Sequence, residues 1–200
     1  MKLLHIDSGL FEQSVSRNLS AQIVAHLAGN HADLQVTRRD LISTSPGHLS
    51  ADVLAGFGPA QADRSATQQA EAELTQTLLD EFLAADIVVI GAPMYNFGIP
   101  SQLKAWFDRV LQAGKTFRYT AEGPVGLAGG KQVYIASARG GFYSTSEGGR
   151  LLDFQEDYLR TLLGFIGITD VQIVRAEGIA LGEEAKAQAI AAAETAIGAL

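Results

Sequence analysis

No cysteine occurs among the 200 residues, and that absence removes more chemistry than any other feature of the chain. It leaves no disulfide, no thiol nucleophile, no thiol redox couple and no thiolate metal site. Phosphatases built on a Cys-x5-Arg loop are excluded with it. No apolar run approaches the ~18 residues a membrane span needs, and nothing near Lys2 resembles a signal peptide. A cytoplasmic protein without a membrane partner is therefore expected. Bases are scarce too, 15 against 22 acids for a formal charge of −7, which disfavours a nucleic-acid partner. The single basic doublet, Arg38-Arg39, sits at an expected strand end and reads as a solvated edge. The four histidines (His5, His26, His31, His48) show no His-x3-His spacing, so no metal site is expected. A Walker motif is missing, as is Gly-x-Gly-x-x-Gly after the first strand, which disfavours NTP hydrolysis and a tightly held dinucleotide. Gly-x-Ser-x-Gly is absent, and spacing places no Ser-His-Asp triad. With no thiol, metal or nucleophile, an organic cofactor is the natural carrier of chemistry.

What is there alternates. Strands are expected at Lys2–Ile6, Leu34–Arg39, Asp86–Ala92, Val133–Ser137 and Val171–Ala176. Helices are expected at Arg17–Ala28, Ala66–Ala84, from Ser101, over Leu151–Phe165 and from Glu183. A long irregular segment fills 41–65, with Pro46, Gly47, Gly56, Gly58 and Pro59, and a second long connection with turn signals spans 113–130; a glycine-rich loop spans 139–150. At 47% hydrophobic residues and with no linker, residues 1–200 read as one domain. Five strands alternating with five helices make an α/β doubly wound parallel sheet. The order 2-1-3-4-5, with helices on both faces and right-handed crossovers, gathers the loops after strands 1, 3 and 4 at one edge, where such sheets bind ligands. Those three loops are the ones of unusual composition.

The first, Asp7–Ser16, ends at a helix N-terminus, where the Ser14 and Ser16 hydroxyls, free amides and the helix dipole can converge on one anion, with Arg17 adding charge. Taken alone, Ser14 or Ser16 reads equally well as an N-cap. After strand 3, Met94-Tyr-Asn-Phe-Gly supplies an aromatic pair, Tyr95 and Phe97, around the amide of Asn96. That suits a planar, hydrogen-bonding ring better than a phosphate or a metal; the bland alternative is an aromatic turn that only packs. After strand 4, Ala138-Arg-Gly-Gly-Phe lets backbone donors approach a flat ligand edge without Cβ interference, or else forms a turn that needs positive φ.

With these loops in hand, the chain resembles the FMN-dependent NADH azoreductases, also NADH:quinone reductases, of the flavodoxin-like fold. The resemblance runs nearly full length. It is carried by Ala92-Pro-Met-Tyr-Asn-Phe, Gly114-Lys-Thr-Phe-Arg-Tyr-Thr, Arg139-Gly-Gly and Leu163-Gly-Phe-Ile-Gly-Ile-Thr-Asp, with Ala176-Glu-Gly following. It implies one tightly bound FMN per subunit, its phosphate wrapped by Ser14, Val15 and Ser16. Met94, Tyr95, Asn96 and Phe97 would lie along the isoalloxazine, and Ala138, Arg139, Gly140 and Gly141 would border its pyrimidine end. Phe97, Tyr119 and Phe142 would shape a substrate pocket formed across a homodimer interface, which helix 151–165 helps bury. Two positions depart from the family: Gly9 stands where a second serine is common, and Ala138 where serine often precedes Arg-Gly-Gly. The implied activity is a ping-pong oxidoreductase taking hydride from NADH or NADPH and passing two electrons to a quinone or azo compound. The flavin carries the chemistry and no side chain acts as acid or base; quinone detoxification is the implied role. A single-electron flavodoxin carrier and a cofactor-free regulator are the rival readings.

Overall fold

The computed structural model describes residues 1–58 and 63–200; the turn signal at Pro59 lies outside them. The elements are β1 (Lys2–Asp7), α1 (Val15–Asn30), β2 (Gln35–Asp40), α2 (Ala51–Ala55), α3 (Ala66–Ala84), β3 (Ile87–Pro93) and α4 (Ser101–Val110). Then follow β4 (Phe117–Thr120), β5 (Gly123–Gly126), β6 (Gln132–Arg139), α5 (Glu147–Arg150), α6 (Phe154–Phe165), β7 (Asp170–Glu177) and α7 (Glu183–Gly198). A parallel sheet runs in the order β2-β1-β3-β6-β7, which is 2-1-3-4-5 among its five strands.

Strand alternation sorts the core into two layers, since successive side chains leave a strand on opposite faces. Leu4, Ile6, Val88, Ile90, Val133 and Ile135 face α3, α4 and α6, meeting Phe82, Trp106, Phe107 and Leu163. Leu3, Ile87, Val89, Tyr134 and Ala136 face α1 and α7. The central strand β3 is buried along its whole length, as a continuous apolar run implies. The edge strand β2 is largely exposed. Its Arg38 and Arg39 are not merely solvated: Arg38 donates to Asp7 at 3.0 Å and Arg39 pairs with Glu81.

Three expectations need correction. The 113–130 connection, expected to carry no strand, holds β4 and β5 paired as an antiparallel hairpin. Its four-residue strands lack a clean apolar alternation, so the pattern gave no signal. The helix expected over Leu151–Phe165 does not begin at Leu151: α6 starts at Phe154, where the Asp153 carboxylate accepts the Glu156 amide as N-cap. Leu151 and Leu152 precede it and are exposed. At the other end of the chain α1 begins at Val15, two residues before Arg17, placing Ser16 inside its first turn.

Candidate active site

β1, β3, β6 and β7 run parallel, so their last residues, Asp7, Pro93, Arg139 and Glu177, end at one edge of the sheet. The loops that follow are stitched to one another. Tyr95 Oη accepts the Leu10 amide at 3.2 Å, and the Met94 amide donates to the Ala138 carbonyl at 2.9 Å. The segments at 8–16, 94–98 and 138–142 therefore form one continuous rim.

At the first loop, Ser14 occupies the N-cap position of α1 but makes no side-chain cap bond. Its hydroxyl oxygen instead accepts the Phe11 amide at 3.2 Å, which leaves the O–H free to donate. Ser16 Oγ is fully buried and has no hydrogen-bond partner. Since the first helical turn has no preceding carbonyls, the amides of Val15 and Ser16 are unpaired within α1 as well. A buried hydroxyl without a partner costs about 1–3 kcal/mol, so Ser16 carries an unmet donor at the start of α1. Ser14 thus holds the N-cap position without a side-chain cap bond, and Ser16 lies inside the first turn. Gly9 is part of the same arrangement: a Cβ there would lie 2.8 Å from Ser14 Cβ and 3.0 Å from Ser16 Oγ. A serine in its place would have to displace the two hydroxyls.

Arg17 does not point at this loop's mouth as expected. Its Nε donates to the Gly9 carbonyl at 2.7 Å, and its Nη atoms grip Asp40 at 2.6 and 3.1 Å. The guanidinium acts as a brace, joining the loop to the end of β2. Beneath it the buried Asp7 carboxylate meets Ser20, His5 and Arg38. Burial would raise the Asp7 pKa, but the bond to and charge of His5 and the bonds from Arg38 and Ser20 outweigh it and bring it down to about 2. A depressed carboxyl adds stability above its unfolded value, near 3.8, and loses it as pH falls through the folded one. The drop corresponds to about 2 kcal/mol. Asp7→Asn should therefore destabilise the chain at neutral pH, and the gap from wild type in urea midpoint should close on acidification from about pH 4 towards pH 2. A gap independent of pH would deny Asp7 that role.

In the second loop Tyr95 and Gly98 exchange both backbone bonds, at 3.0 and 3.1 Å, closing a tight turn over Asn96 and Phe97. Both central residues have positive φ, +48° and +69°. A bulky Phe in the left-handed region is strained, at a cost of order 1–3 kcal/mol, and such strain collects at functional sites. It leaves the Phe97 ring 44% exposed, edge-on to Tyr143 with centroids 6.2 Å apart.

At the third loop the carbonyls of Arg139, Gly140 and Gly141 accept the amides of Ile179, Ala180 and Gly178 at 3.0–3.1 Å. In a trans peptide the N–H lies opposite the preceding carbonyl, so the amides of Gly140, Gly141 and Phe142 all turn away from the 178–180 segment. They form a short row of donors. Phe142 lies over Gly178, where a Cβ would come 2.7 Å from its ring, and stays half exposed. The Arg139 side chain is nowhere near the surface: its guanidinium is buried among Ser137, Asp153, Glu156 and Glu177. Only the backbone of Arg139 borders the rim.

The structure thus gathers Gly9, Ser14, Val15, Ser16, Met94 to Phe97, Ala138 to Gly141 and Phe142. It does not bring Tyr119 to them. Gly126, at the foot of the β4–β5 hairpin, abuts Ile166 and Gly167, and Phe117 packs on Phe165 at 4.7 Å. That segment leads into the amino end of β7, the opposite end of the sheet from the rim. Tyr119 is 73% exposed, and its ring neighbour is Phe117. Among the described residues no group of three or more His, Asp or Glu side chains could hold a metal ion.

A family model described as flavodoxin-like fold matches residues 1–200. An FMN-dependent NADH:quinone oxidoreductase of Polaromonas naphthalenivorans (strain CJ2) is 57% identical over 198 residues, covering 98% of this chain and 91% of its own. The chain belongs to that family. Its counterpart in Azospirillum brasilense, of the same name, is 56% identical over 202 residues, covering 100% of this chain and 97% of its own. Among solved structures, an FMN-dependent NADH-azoreductase from Bacillus anthracis str. Ames Ancestor, in complex with FMN, matches with a TM-score of 0.87. Identity is 28%, over 99% of this chain and 98% of that one. Of the segments that carried the resemblance, 92–97 and 139–141 lie on the rim, and 114–120 and 163–170 lie at the hairpin end of the sheet; two residues that shape the rim from below went unassigned on sequence. Glu177 stands in the motif Ala176-Glu-Gly, which carried the resemblance without a role. Asp153 read as a helix residue rather than as an N-cap beside a buried arginine.

Proposed function

We propose that the chain, acting as a single FMN-binding domain over residues 1–200, is an FMN-dependent oxidoreductase that takes hydride from NADH or NADPH and reduces quinones or aromatic azo compounds. The observation that carries this reading is the buried, unpartnered Ser16 hydroxyl beside the free amides of Val15 and Ser16. That donor set fits a terminal phosphate, and it offers nothing for a pyrophosphate-linked adenosine. From there the rim leads past Met94–Phe97 to the outward amides of Gly140, Gly141 and Phe142, which suit the acceptor-rich edge of a flat ring system. When bound, FMN supplies hydride acceptance and two-electron delivery. The residues bind and orient. Ser14 and Ser16 would donate to the phosphate, Tyr95 locks the first loop to the second, and the strained Asn96–Phe97 turn would present an aromatic edge to the acceptor. The amide row would favour negative charge on the edge of a ring held against it.

The reading extends to a homodimer. Phe11, Leu151 and Phe154 are each more than 60% exposed, and an apolar groove of about 580 Å³ runs between Ile99, Lys104, Phe154 and Tyr158. Exposed apolar surface on this scale favours association. Tyr119, too far from its own rim, would then reach the partner's site. No helix among the described residues is long and apolar enough to cross a membrane, in keeping with a cytoplasmic role in quinone detoxification.

The test is direct. Cofactor released by heat should chromatograph as FMN, and anaerobic NADH should bleach the bound flavin before any acceptor is added. Adding a quinone should restore the colour, with parallel double-reciprocal plots for the two substrates. Release of chiefly FAD, or a colourless protein that takes up no FMN, would overturn the reading. Bleaching only when acceptor and NADH are present together would remove the ping-pong order.

A further inference from the structure

The site just described rests on a buried ionic cluster behind the third loop of the rim. Arg139 is fully buried, and Nη1 donates to Asp153 at 2.8 Å and to Glu177 at 3.0 Å. Nη2 pairs with Glu156, which is also held by Arg175 at 2.7 Å. Nε donates to Ser137 Oγ at 3.0 Å, and Ser137 in turn donates to Gln155 at 3.2 Å. Two arginines thus face three carboxylates, and the cluster carries one net negative charge. Glu177 is its link to the rim. Its Oε1 accepts the Tyr143 and Ser144 amides, both at 2.9 Å, while Ser144 Oγ donates to Oε2. Burial alone would raise this carboxyl, but Ser144, the two amides and Arg139 outweigh it and hold it below the ordinary value. Glu177 is therefore charged whenever the protein works.

The strand that ends in Glu177 continues into Gly178–Ala180, whose amides bind the carbonyls of Arg139–Gly141. The carboxylate and the donor row are thus two sides of one loop. We propose that Glu177, through this cluster, sets the reduction potential of the bound FMN. Its charge opposes the negative charge gained at the pyrimidine end on reduction, and its clamp on 143–144 keeps the amide row in place. Glu177 is a positioning residue: it reaches the flavin only through the loop. In a poorly solvated interior such a charge acts over several ångströms and is weakly screened by salt. The inference rests on the FMN reading.

Glu177→Gln separates charge from clamp. The amide oxygen can still accept the two backbone N–H groups, and Ser144 Oγ can turn to accept from the new NH2. In the FMN-loaded protein, a spectroelectrochemical titration should show the variant easier to reduce. The expected change is about tenfold in the ratio of reduced to oxidised FMN at fixed potential, about 30 mV for a two-electron couple. Binding of oxidised FMN should stay within about threefold, since the donors to it are unmoved. Glu177→Ala should give the same direction of shift and in addition weaken FMN binding. Should Glu177→Gln fail to fold, Asp153→Asn removes a charge from the same guanidinium while an asparagine keeps the α6 cap, and it should move the potential the same way. A potential unchanged or lowered in the foldable variant would overturn the proposal, even with FMN binding impaired. Wild-type protein that takes up no FMN would instead overturn the functional reading beneath it.

Discussion

Ser16→Ala should raise the stability of the FMN-free protein or leave it unchanged, while weakening FMN binding by about ten- to a hundredfold. The two effects have opposite signs for one reason. In the free chain the Ser16 hydroxyl is buried with no partner, so removing it removes a desolvated polar group at no loss of a bond. With phosphate in the loop the same hydroxyl donates to a charged oxygen, and such bonds are worth about 1.5–3 kcal/mol. A fluorescence titration with FMN and a thermal melt of the free protein measure the two sides separately. An N-cap serine would behave otherwise: its loss costs about 1 kcal/mol of stability and leaves FMN binding nearly intact. Parallel loss of stability with unchanged FMN affinity would return Ser16 to a structural role. Ser14→Ala makes a useful contrast, because its oxygen already accepts the Phe11 amide and its loss should cost stability and FMN affinity together.

Gly126→Ala should abolish most acceptor turnover while sparing the phosphate loop. A Cβ at this position would fall on the backbone of Ile166 and Gly167, which cannot give way as a flexible side chain would. Overpacking of this kind costs about 1–3 kcal/mol or more, and the cheapest relief is to lift the hairpin off the 165–168 segment. The hairpin carries Tyr119, the aromatic that the proposed homodimer would bring to the partner's site. Quinone turnover should therefore fall at least about tenfold, as loss of an aromatic contact and of its placement implies. FMN affinity, which the proposed site assigns to loops at the other end of the sheet, should change by less than about threefold. Tyr119→Ala on the intact hairpin should be milder and should change kcat/KM unequally among acceptors. If Gly126→Ala lost FMN and turnover in the same proportion, the hairpin would be part of the fold's general stability rather than of an acceptor pocket. If light scattering showed the fully active wild type to be a monomer of about 21 kDa, the crossing of Tyr119 would be ruled out.

Both experiments turn on residues whose types were plain in the chain and whose surroundings were not. The parallel sheet was legible because its signals are local. An apolar run such as Ile87–Pro93 between helical periodicities admits few topologies, and right-handed crossovers reduce them further. The loops at its carboxyl ends followed from that topology, and their residue types, hydroxyls at 14 and 16, aromatics at 95 and 97 and glycines at 140 and 141, indicated the chemistry each could offer. Local pattern could not choose between a serine that caps α1 and one left without a partner, because that depends on where Phe11 turns and how closely Gly9 lies. Nor could it place Arg17 and Arg139. Both sit in ligand-facing loops by sequence, yet each guanidinium is claimed by carboxylates distant in the chain, Asp40 for one and Asp153, Glu156 and Glu177 for the other. Long charged side chains go where their partners are, and those partners are fixed only when the strands assemble. The hairpin at 117–126 is the same case: its short strands carry no periodic signal, and the contact of Gly126 with Gly167 that seats it joins segments brought together by the fold alone. The sequence by itself determined the sheet, the edge at which a ligand would lie and the kinds of group on it. The tertiary structure decided which of those groups are free to bind and which are already spent holding the frame, because burial and pairing belong to the assembled chain.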